Sequence, residues 1–146
     1  MTSSSVKHEG PAGEQLRLLR MAYGAQAAQV LYVAARLALA DLLATGPGDS
    51  CELAIKANLD ERVLRRLLRG LVSLGVCSEV GFGRFALTEI GEYLRSDHPQ
   101  SLQARILFNG EVLWPIWGEL LGTVRSGSSG AVRAFGMPFC ECGIAP

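Results

Sequence analysis

The stretch that decides the fold is 60-DERVLRRLLRGLVSLGVCSEVGFGRFAL-87. Its first half repeats apolar residues at spacings of three and four behind Asp60, a residue type that often caps helices. This pattern predicts an amphipathic helix, and Gly75 ends it. Two short apolar runs then flank the tight-turn sequence GFG, which predicts a β-hairpin formed by residues 76–80 and 84–87.

Shorter helices are predicted on both sides of this segment. Upstream, the helix breaker GPG precedes Asp49, which stands three residues before Glu52, a spacing typical of a capping box, and a short helix is expected to reach Ala57. Downstream, Thr88 is the predicted cap of a helix over residues 89–96. This order of elements predicts a mainly α fold, a winged helix-turn-helix with a small β-hairpin wing.

The region before the winged helix predicts a dimer. Helical periodicity begins at Gln15, is interrupted near Gly24 and continues from Gln26 to Ala44. Apolar residues surround most of the second part, and a helix that is apolar all round must be buried all round. A chain of 146 residues has little interior for this, so a second copy has to cover these N-terminal dimerisation helices. The residues predicted at the dimer interface are Leu19, Tyr23, Val30, Leu31, Ala34, Leu37 and Ala38.

Changes in pattern divide the chain into four segments. Residues 1–13 are rich in Ser, Gly and Pro and are predicted to be a disordered tail. Residues 14–98 form the dimerisation and winged-helix domain, and residues 99–126 form a second helical region. A flexible C-terminal stretch is predicted for residues 127–146, which begin with GSSG.

Composition narrows the range of functions. The 14 Lys and Arg residues balance 14 Asp and Glu residues, so the whole chain has no general attraction for nucleic acid or an anionic membrane. The four cysteines form no CxxC pair, and no metal site is predicted. The most apolar stretch contains Arg36 and Asp41, which argues against a membrane span, and the polar N-terminus does not resemble a secretory signal. These features predict a cytoplasmic protein with reduced thiols.

An alternative function is a winged-helix DNA-binding transcription regulator. The helix that would enter the major groove in such a regulator carries a group of arginines, namely Arg62, Arg65, Arg66 and Arg69. The neutral chain and a wing with only Arg84 instead favour a solvated helix face, paired with Glu52, Glu61 or similar neighbours. Nucleic acid is therefore not expected as a partner.

Six runs follow one another in a characteristic order: LYVAARLALADLL, ELA, LRRLLRGLVSLGV, GRFALTEIGEYLRSD, WPIWGELLGTVRSG and FGMPF. With these runs, from Leu16 to Glu141, the chain resembles the front third of S-adenosylmethionine-dependent O-methyltransferases of the caffeic-acid and hydroxyneurosporene types. The resemblance implies a homodimer with interlocked N-terminal helices, in which the winged helix serves as a scaffold. It also implies methyl transfer to a hydroxyl of a small aromatic or polyketide-like metabolite.

The resemblance further implies which residues line the acceptor pocket. They are Phe108, Asn109, Trp114, Trp117, Phe135, Met137 and Phe139. Aromatic faces and a thioether suit a flat apolar acceptor, and one amide suits its polar edge. Plain core packing is the competing interpretation for each of these residues taken singly.

The chain departs from the family after FGMPFCE, where it ends in CGIAP. It has no glycine-rich loop of the type Asp/Glu-x-Gly-x-Gly-x-Gly and no histidine where the family has its general base. We therefore expect no cofactor in this chain, a truncation before the cofactor domain, and no catalysis by the chain alone, which leaves its status as an enzyme open. The expected partners are a second copy or a full-length relative, together with a small aromatic metabolite. A binder without chemistry is a third interpretation.

Overall fold

The computed structural model describes residues 11–139. Within that range the N-terminal half contains α1 (Pro11–Ala22), α2 (Gly24–Arg36), α3 (Leu39–Leu43), β1 (Gly48–Asp49), α4 (Ser50–Ala57) and α5 (Glu61–Ser73). The elements that follow are β2 (Cys77–Gly81), β3 (Arg84–Leu87), α6 (Glu89–Glu92), α7 (Gln103–Phe108), a π-helix (Asn109–Leu113), α8 (Trp114–Gly118), α9 (Leu120–Ser126) and α10 (Gly130–Phe135). The predicted mainly α fold with a small hairpin is confirmed.

The hairpin belongs to a three-stranded antiparallel sheet in the order β1-β3-β2. Cys77 pairs with Leu87 across the hairpin, and Gly48 pairs with Phe85 on the other side of β3. The sequence did not predict β1, because a two-residue strand is too short to show an alternating pattern.

The predicted helix caps lie where the sequence placed them. The Asp49 carboxylate accepts hydrogen bonds from the backbone N–H of Cys51 at 2.8 Å and of Glu52 at 3.4 Å. Asp60 accepts from the N–H of Val63 at 2.9 Å. Thr88 likewise caps α6, but this helix ends at Glu92 rather than at residue 96.

The long N-terminal helix is divided twice. At Tyr23 the division is slight, since the Tyr23 N–H still donates to the Leu19 carbonyl at 2.9 Å. At Ala38 it is complete, because this residue has a φ of 50° in the left-handed region. The single helix predicted from residue 26 to residue 44 is therefore wrong, and α3 leaves the axis of α2.

A single apolar core holds α2–α5 against the wing. Phe85 on β3 and Leu68 on α5 are fully buried at its centre. The other buried members are Ala34, Leu39, Ala40, Leu43, Leu53, Ala54, Leu64, Leu71, Val76, Cys77 and Leu94. The winged helix is thus packed as one body around the α5 face that the sequence identified.

The ends of the described range differ from the predicted segments. Helix α1 begins at Pro11, so residues 11–13 are helical, and the rest of the predicted tail lies outside the described residues. Helix α10 occupies part of the stretch predicted to be flexible, and residues 140–146 lie outside the description. Between residues 11 and 139, no helix combines the length and hydropathy needed to cross a membrane.

Candidate dimerisation surface and acceptor site

Helix α1 presents apolar side chains to solvent along much of its length. Met21 is 72% exposed in the single subunit. The exposed apolar residues here, called the α1 surface below, are Leu16, Leu18, Leu19, Met21 and Tyr23. With about 100° of rotation per residue, Leu16, Leu19 and Tyr23 lie on one side of this helix, and Leu18 and Met21 lie on the opposite side. So many exposed apolar side chains on one helix are typical of a surface that another molecule covers.

The predicted interface residues fall into three groups. Leu19 and Tyr23 belong to the exposed α1 surface. A second group, Val30, Leu31 and Leu37, is partly buried and packs against the core of its own subunit, and Ala38 at the helix break is also partly buried. Ala34 is 0% exposed and lies inside that core. Ala34 therefore packs within its own subunit and has no surface to offer a partner.

A second apolar feature is a groove that contains no residue of α1. It has a volume of about 280 Å³ and is open to solvent. Its lining residues are Leu31, Leu74, Val76, Ile90, Tyr93, Leu94, Leu102 and Ile106. Only Leu31 of the predicted interface residues lines this groove.

The acceptor-side segment is one bent helical rod, formed by α7, the π-helix and α8. Pro115, in the first turn of α8, has no N–H to donate, and its ring conflicts with the carbonyl four residues earlier. This accounts for the wider π-turn just before it, a feature often found at functional sites. Gly110 in the π-helix packs directly on the Tyr32 ring of α2, where any side chain would collide.

Two ion pairs hold this segment in place. The Arg36 guanidinium of α2 lies 3.4 Å from the Glu111 carboxylate in the π-helix. Farther along, Arg133 of α10 lies 2.8 Å from Glu119, just before α9. Sequence analysis did not single out these residues. The sequence feature that could have indicated these contacts is a glycine followed by a glutamate, Gly110 and Glu111, within an otherwise apolar helix.

The structure brings some of the predicted acceptor-side residues together. The rings of Phe108 and Phe139 meet edge to face, with centroids 6.5 Å apart and planes at 80°. Helix α10, which carries Phe135, packs on α8, which carries Trp114 and Trp117. Met137 is exposed, and so is Asn109 at the start of the π-helix.

Most of these side chains are exposed, and Phe108 is half-buried. Trp117 is 64% exposed, and Trp114, Phe135 and Phe139 are exposed as well. Plain core packing therefore does not explain them in this subunit. They form an open apolar surface, here called the acceptor-side surface, suited to a flat ligand or to a covering domain.

One arginine of α5 pairs with a neighbouring glutamate, though not with either of the two that the sequence analysis named. Arg69 lies 3.4 Å from Glu79 on β2, not from Glu52 or Glu61. Glu61 instead accepts a hydrogen bond from the Ser50 hydroxyl at 3.1 Å. Arg65 stacks on the Phe82 ring at the wing tip, 4.1 Å from its centroid. No cluster of three His, Cys, Asp or Glu residues suited to a metal occurs in the part of the chain that the structure describes.

Comparison with known proteins decides the family. The family model described as the O-methyltransferase dimerisation domain matches residues 19–97. The chain belongs to the O-methyltransferase dimerisation domain family. The match spans α2 to the end of the winged helix together with the last residues of α1, so the exposed Leu19 and Tyr23 lie within it.

Individual relatives agree with this assignment. The phenazine O-methyltransferase PhzM of Lysobacter antibioticus is 36% identical over 122 residues, which are 84% of this chain and 36% of that protein. The crystal structure of LaPhzM superposes with a TM-score of 0.83 at 35% identity, over 86% of this chain and 38% of that one. Human N-acetylserotonin methyltransferase, in complex with SAM, has a TM-score of 0.76 at 30% identity, over 97% of this chain and 41% of its own. The chain thus spans about a third of the length of the curated relatives it matches.

Proposed function

We propose that this chain is the dimerisation and acceptor-side module of an S-adenosylmethionine-dependent O-methyltransferase. The observation that carries the proposal is the exposed α1 surface, which one subunit leaves in water. Membership of the dimerisation domain family supports it. The covering molecule is a second copy, or a full-length relative with the same N-terminal helices.

Burial of the α1 surface is large enough to offset the cost of association. Complete burial of a large apolar side chain stabilises by about 1.5–3 kcal/mol, and these five are already partly covered, so each subunit contributes on the order of 5–10 kcal/mol and the two copies together about 10–20 kcal/mol. Association costs about 4–15 kcal/mol in lost freedom of motion. The apolar groove beside α6 and α7 is a second surface that would add to the interface.

Size-exclusion chromatography with light scattering tests the dimer. We expect twice the subunit mass at micromolar concentration. Replacing Leu19 and Met21 together with glutamate should give a monomer, because both side chains are exposed in the subunit and the substitutions place a charge on each side of the apolar α1 surface. Ile55→Glu, at an equally exposed apolar position on α4, is the matched control and should remain dimeric. A monomeric parent chain would refute the proposal.

The second part of the proposal assigns the acceptor-side surface to a small aromatic metabolite. Both tryptophans of the chain, Trp114 and Trp117, belong to this surface, so tryptophan fluorescence, excited selectively over tyrosine, reports on it. We expect a flat phenolic compound to quench this fluorescence with low affinity, because the surface is open on one side. Asn109→Ala should weaken binding if the amide holds the polar edge. Quenching unchanged by Phe108→Ala and Asn109→Ala would contradict this assignment.

The residues present do not fit S-adenosylmethionine. Sites of this kind use a glycine-rich turn between a strand and a helix, at the carboxyl edge of a parallel sheet. The strands between residues 48 and 87 are short and antiparallel, and no such turn follows them. We propose that the chain by itself transfers no methyl group. Incubation with S-adenosylmethionine and a phenol, with detection of S-adenosylhomocysteine, tests this, and turnover above that of heat-denatured protein would overturn it.

A further inference from the structure

We propose that the cleft between α5 and the wing tip binds phosphate groups. This cleft, called the arginine cleft below, has a volume of about 310 Å³. It is lined by Glu61, Arg62, Arg65, Arg66, Arg69 and Phe82. The dimerisation and acceptor-side surfaces include none of these residues, so the inference goes beyond the proposed function.

The first argument is unbalanced charge. Four guanidinium groups face the carboxylates of Glu61 and of the neighbouring Glu79, although the chain as a whole is neutral. Arg62 and Arg66 have no carboxylate within 4.0 Å anywhere in residues 11–139. A concave surface with an excess of one charge concentrates ions of the opposite sign.

The two acidic neighbours offset only part of this positive charge, because two carboxylates face four guanidinium groups and each carboxylate is held by its own hydrogen bonds. Glu61 holds the Ser50 hydroxyl at the start of α4. Glu79 accepts from the backbone N–H of Gly83 at 3.2 Å and from Arg69 Nε at 3.4 Å. Both carboxylates thus fix the wing and the helix pair, and they leave the outer arginines for a ligand.

Arg65 adds a preorganised group. Its guanidinium carbon lies over the Phe82 ring, 4.1 Å from the centroid, and its Nε is shielded from solvent with no hydrogen-bond acceptor among the described residues. A shielded donor without an acceptor is costly and is often completed by an ion or a water. Phe82 itself is 87% exposed, so core packing does not explain an aromatic residue at this turn.

The arrangement favours a ligand with several phosphates over a single small anion. Arg62, Arg66 and Arg69 follow one another at spacings of four and three along one side of α5, over roughly 10 Å of helix. Guanidinium groups pair with phosphate oxygens through two parallel hydrogen bonds. Both a polyphosphate ester and the backbone of a nucleic acid present charges in such a line.

Titrations followed by ¹⁵N NMR test the arginine cleft. The probes are tripolyphosphate and a 16-base-pair DNA duplex, each added to the complete chain at low salt. We expect tripolyphosphate to shift the amide and arginine Nε signals of residues 62–69 and 82–84. The double variant Arg62→Ala/Arg66→Ala should bind at least about tenfold more weakly, since it removes two guanidinium groups that would each form charge-assisted hydrogen bonds to the phosphates.

The controls distinguish specific binding in the arginine cleft from general electrostatic attraction of anions to the chain. Arg125→Ala removes an exposed arginine of α9 that forms no ion pair with any residue between 11 and 139, and this variant should bind like the parent chain. Duplex binding through the same signals would identify a nucleic-acid backbone, and binding of tripolyphosphate alone would identify a free phosphate ester. No shift with either probe, or equal binding by the double variant, would overturn the proposal. Circular dichroism of the double variant confirms that α5 is intact.

Discussion

At the scale of single residues, Cys77 offers the sharpest prediction. Its thiol lies in the core at the start of β2, where burial raises its pKa to about 11. At pH 8 only about one thiol in a thousand would be ionised, and the thiolate is the reactive form. Iodoacetamide should therefore modify the exposed Cys51 while leaving Cys77 unmodified, as read by mass spectrometry of the peptides.

The denatured chain provides the control for this experiment. In concentrated urea, Cys77 should be alkylated as fast as Cys51, because both thiols are then solvated. Equal alkylation of the two cysteines in the folded chain would mean that β2 opens readily, and it would contradict the core described above.

The hydrogen bonds of the Glu79 carboxylate predict how the stability of the wing changes with pH. The backbone N–H of Gly83 is the main cause that lowers the pKa of this carboxyl, and the side chain of Arg69 adds to it. Because the folded state favours the charged form, the stabilisation is complete above the ordinary pKa of a glutamate and is lost as the pH falls through the lower, folded value. Glu79→Gln should reduce Tm at pH 7, and the difference from the parent chain should narrow towards pH 3. A difference that is constant across this range would show that the carboxylate charge is not involved.

At the scale of elements, the space around Gly91 shows that α6 packs closely against the backbone at the start of the hairpin. A Cβ at this position would collide with the backbone carbonyl of Val76, which also accepts hydrogen bonds from Thr88. Since backbone cannot move aside as a flexible side chain can, Gly91→Ala should destabilise by about 1–3 kcal/mol in urea unfolding. Gly118→Ala is the matched control, because nothing lies within 4 Å of its added methyl. An equal effect of both substitutions would refute the close contact.

Elements that are determined by contacts between residues close in the sequence could be predicted. Elements that are determined by contacts between residues far apart in the sequence could not. Asp49 and Asp60 cap helices through bonds to residues two or three positions away. The break at Ala38 depends on distant partners, since Asp41 of α3 accepts from the Ser96 backbone at 2.8 Å. Periodicity cannot show a contact between residues 55 positions apart.

In the second helical region, too, prediction from the sequence was limited by contacts that the sequence does not show. GSSG was predicted to be flexible, yet the Ser129 hydroxyl accepts from the Ala131 N–H at 3.3 Å and starts α10. The acceptor-side residues themselves came from resemblance, because isolated aromatic residues carry no positional signal. The pairing of Arg69 with Glu79 rather than with Glu61 could not be read from the sequence, since the engagement of Glu61 by Ser50 depends on packing between α4 and α5.

At the scale of the whole molecule, the apolar and charged surfaces belong to different elements. The apolar face of α5, with Leu64, Leu68 and Leu71, is turned into the core, so its arginines are directed away from it. The α1 surface lies on another helix. A dimer formed through α1 and the groove would therefore carry two arginine clefts and two acceptor-side surfaces.

Unfolding of such a dimer has to depend on protein concentration. If folding and association are linked, raising the concentration a hundredfold stabilises the dimer by about 2.7 kcal/mol, since both subunits must separate on unfolding. For a chain of this size, that corresponds to a rise in Tm of several degrees. Calorimetry at 1 and 100 µM measures it, with the Leu19→Glu/Met21→Glu double variant as the control whose Tm should not move. A Tm of the parent chain that is independent of concentration would mean that the exposed apolar helix is tolerated by a monomer, and the central role proposed for α1 would then fail.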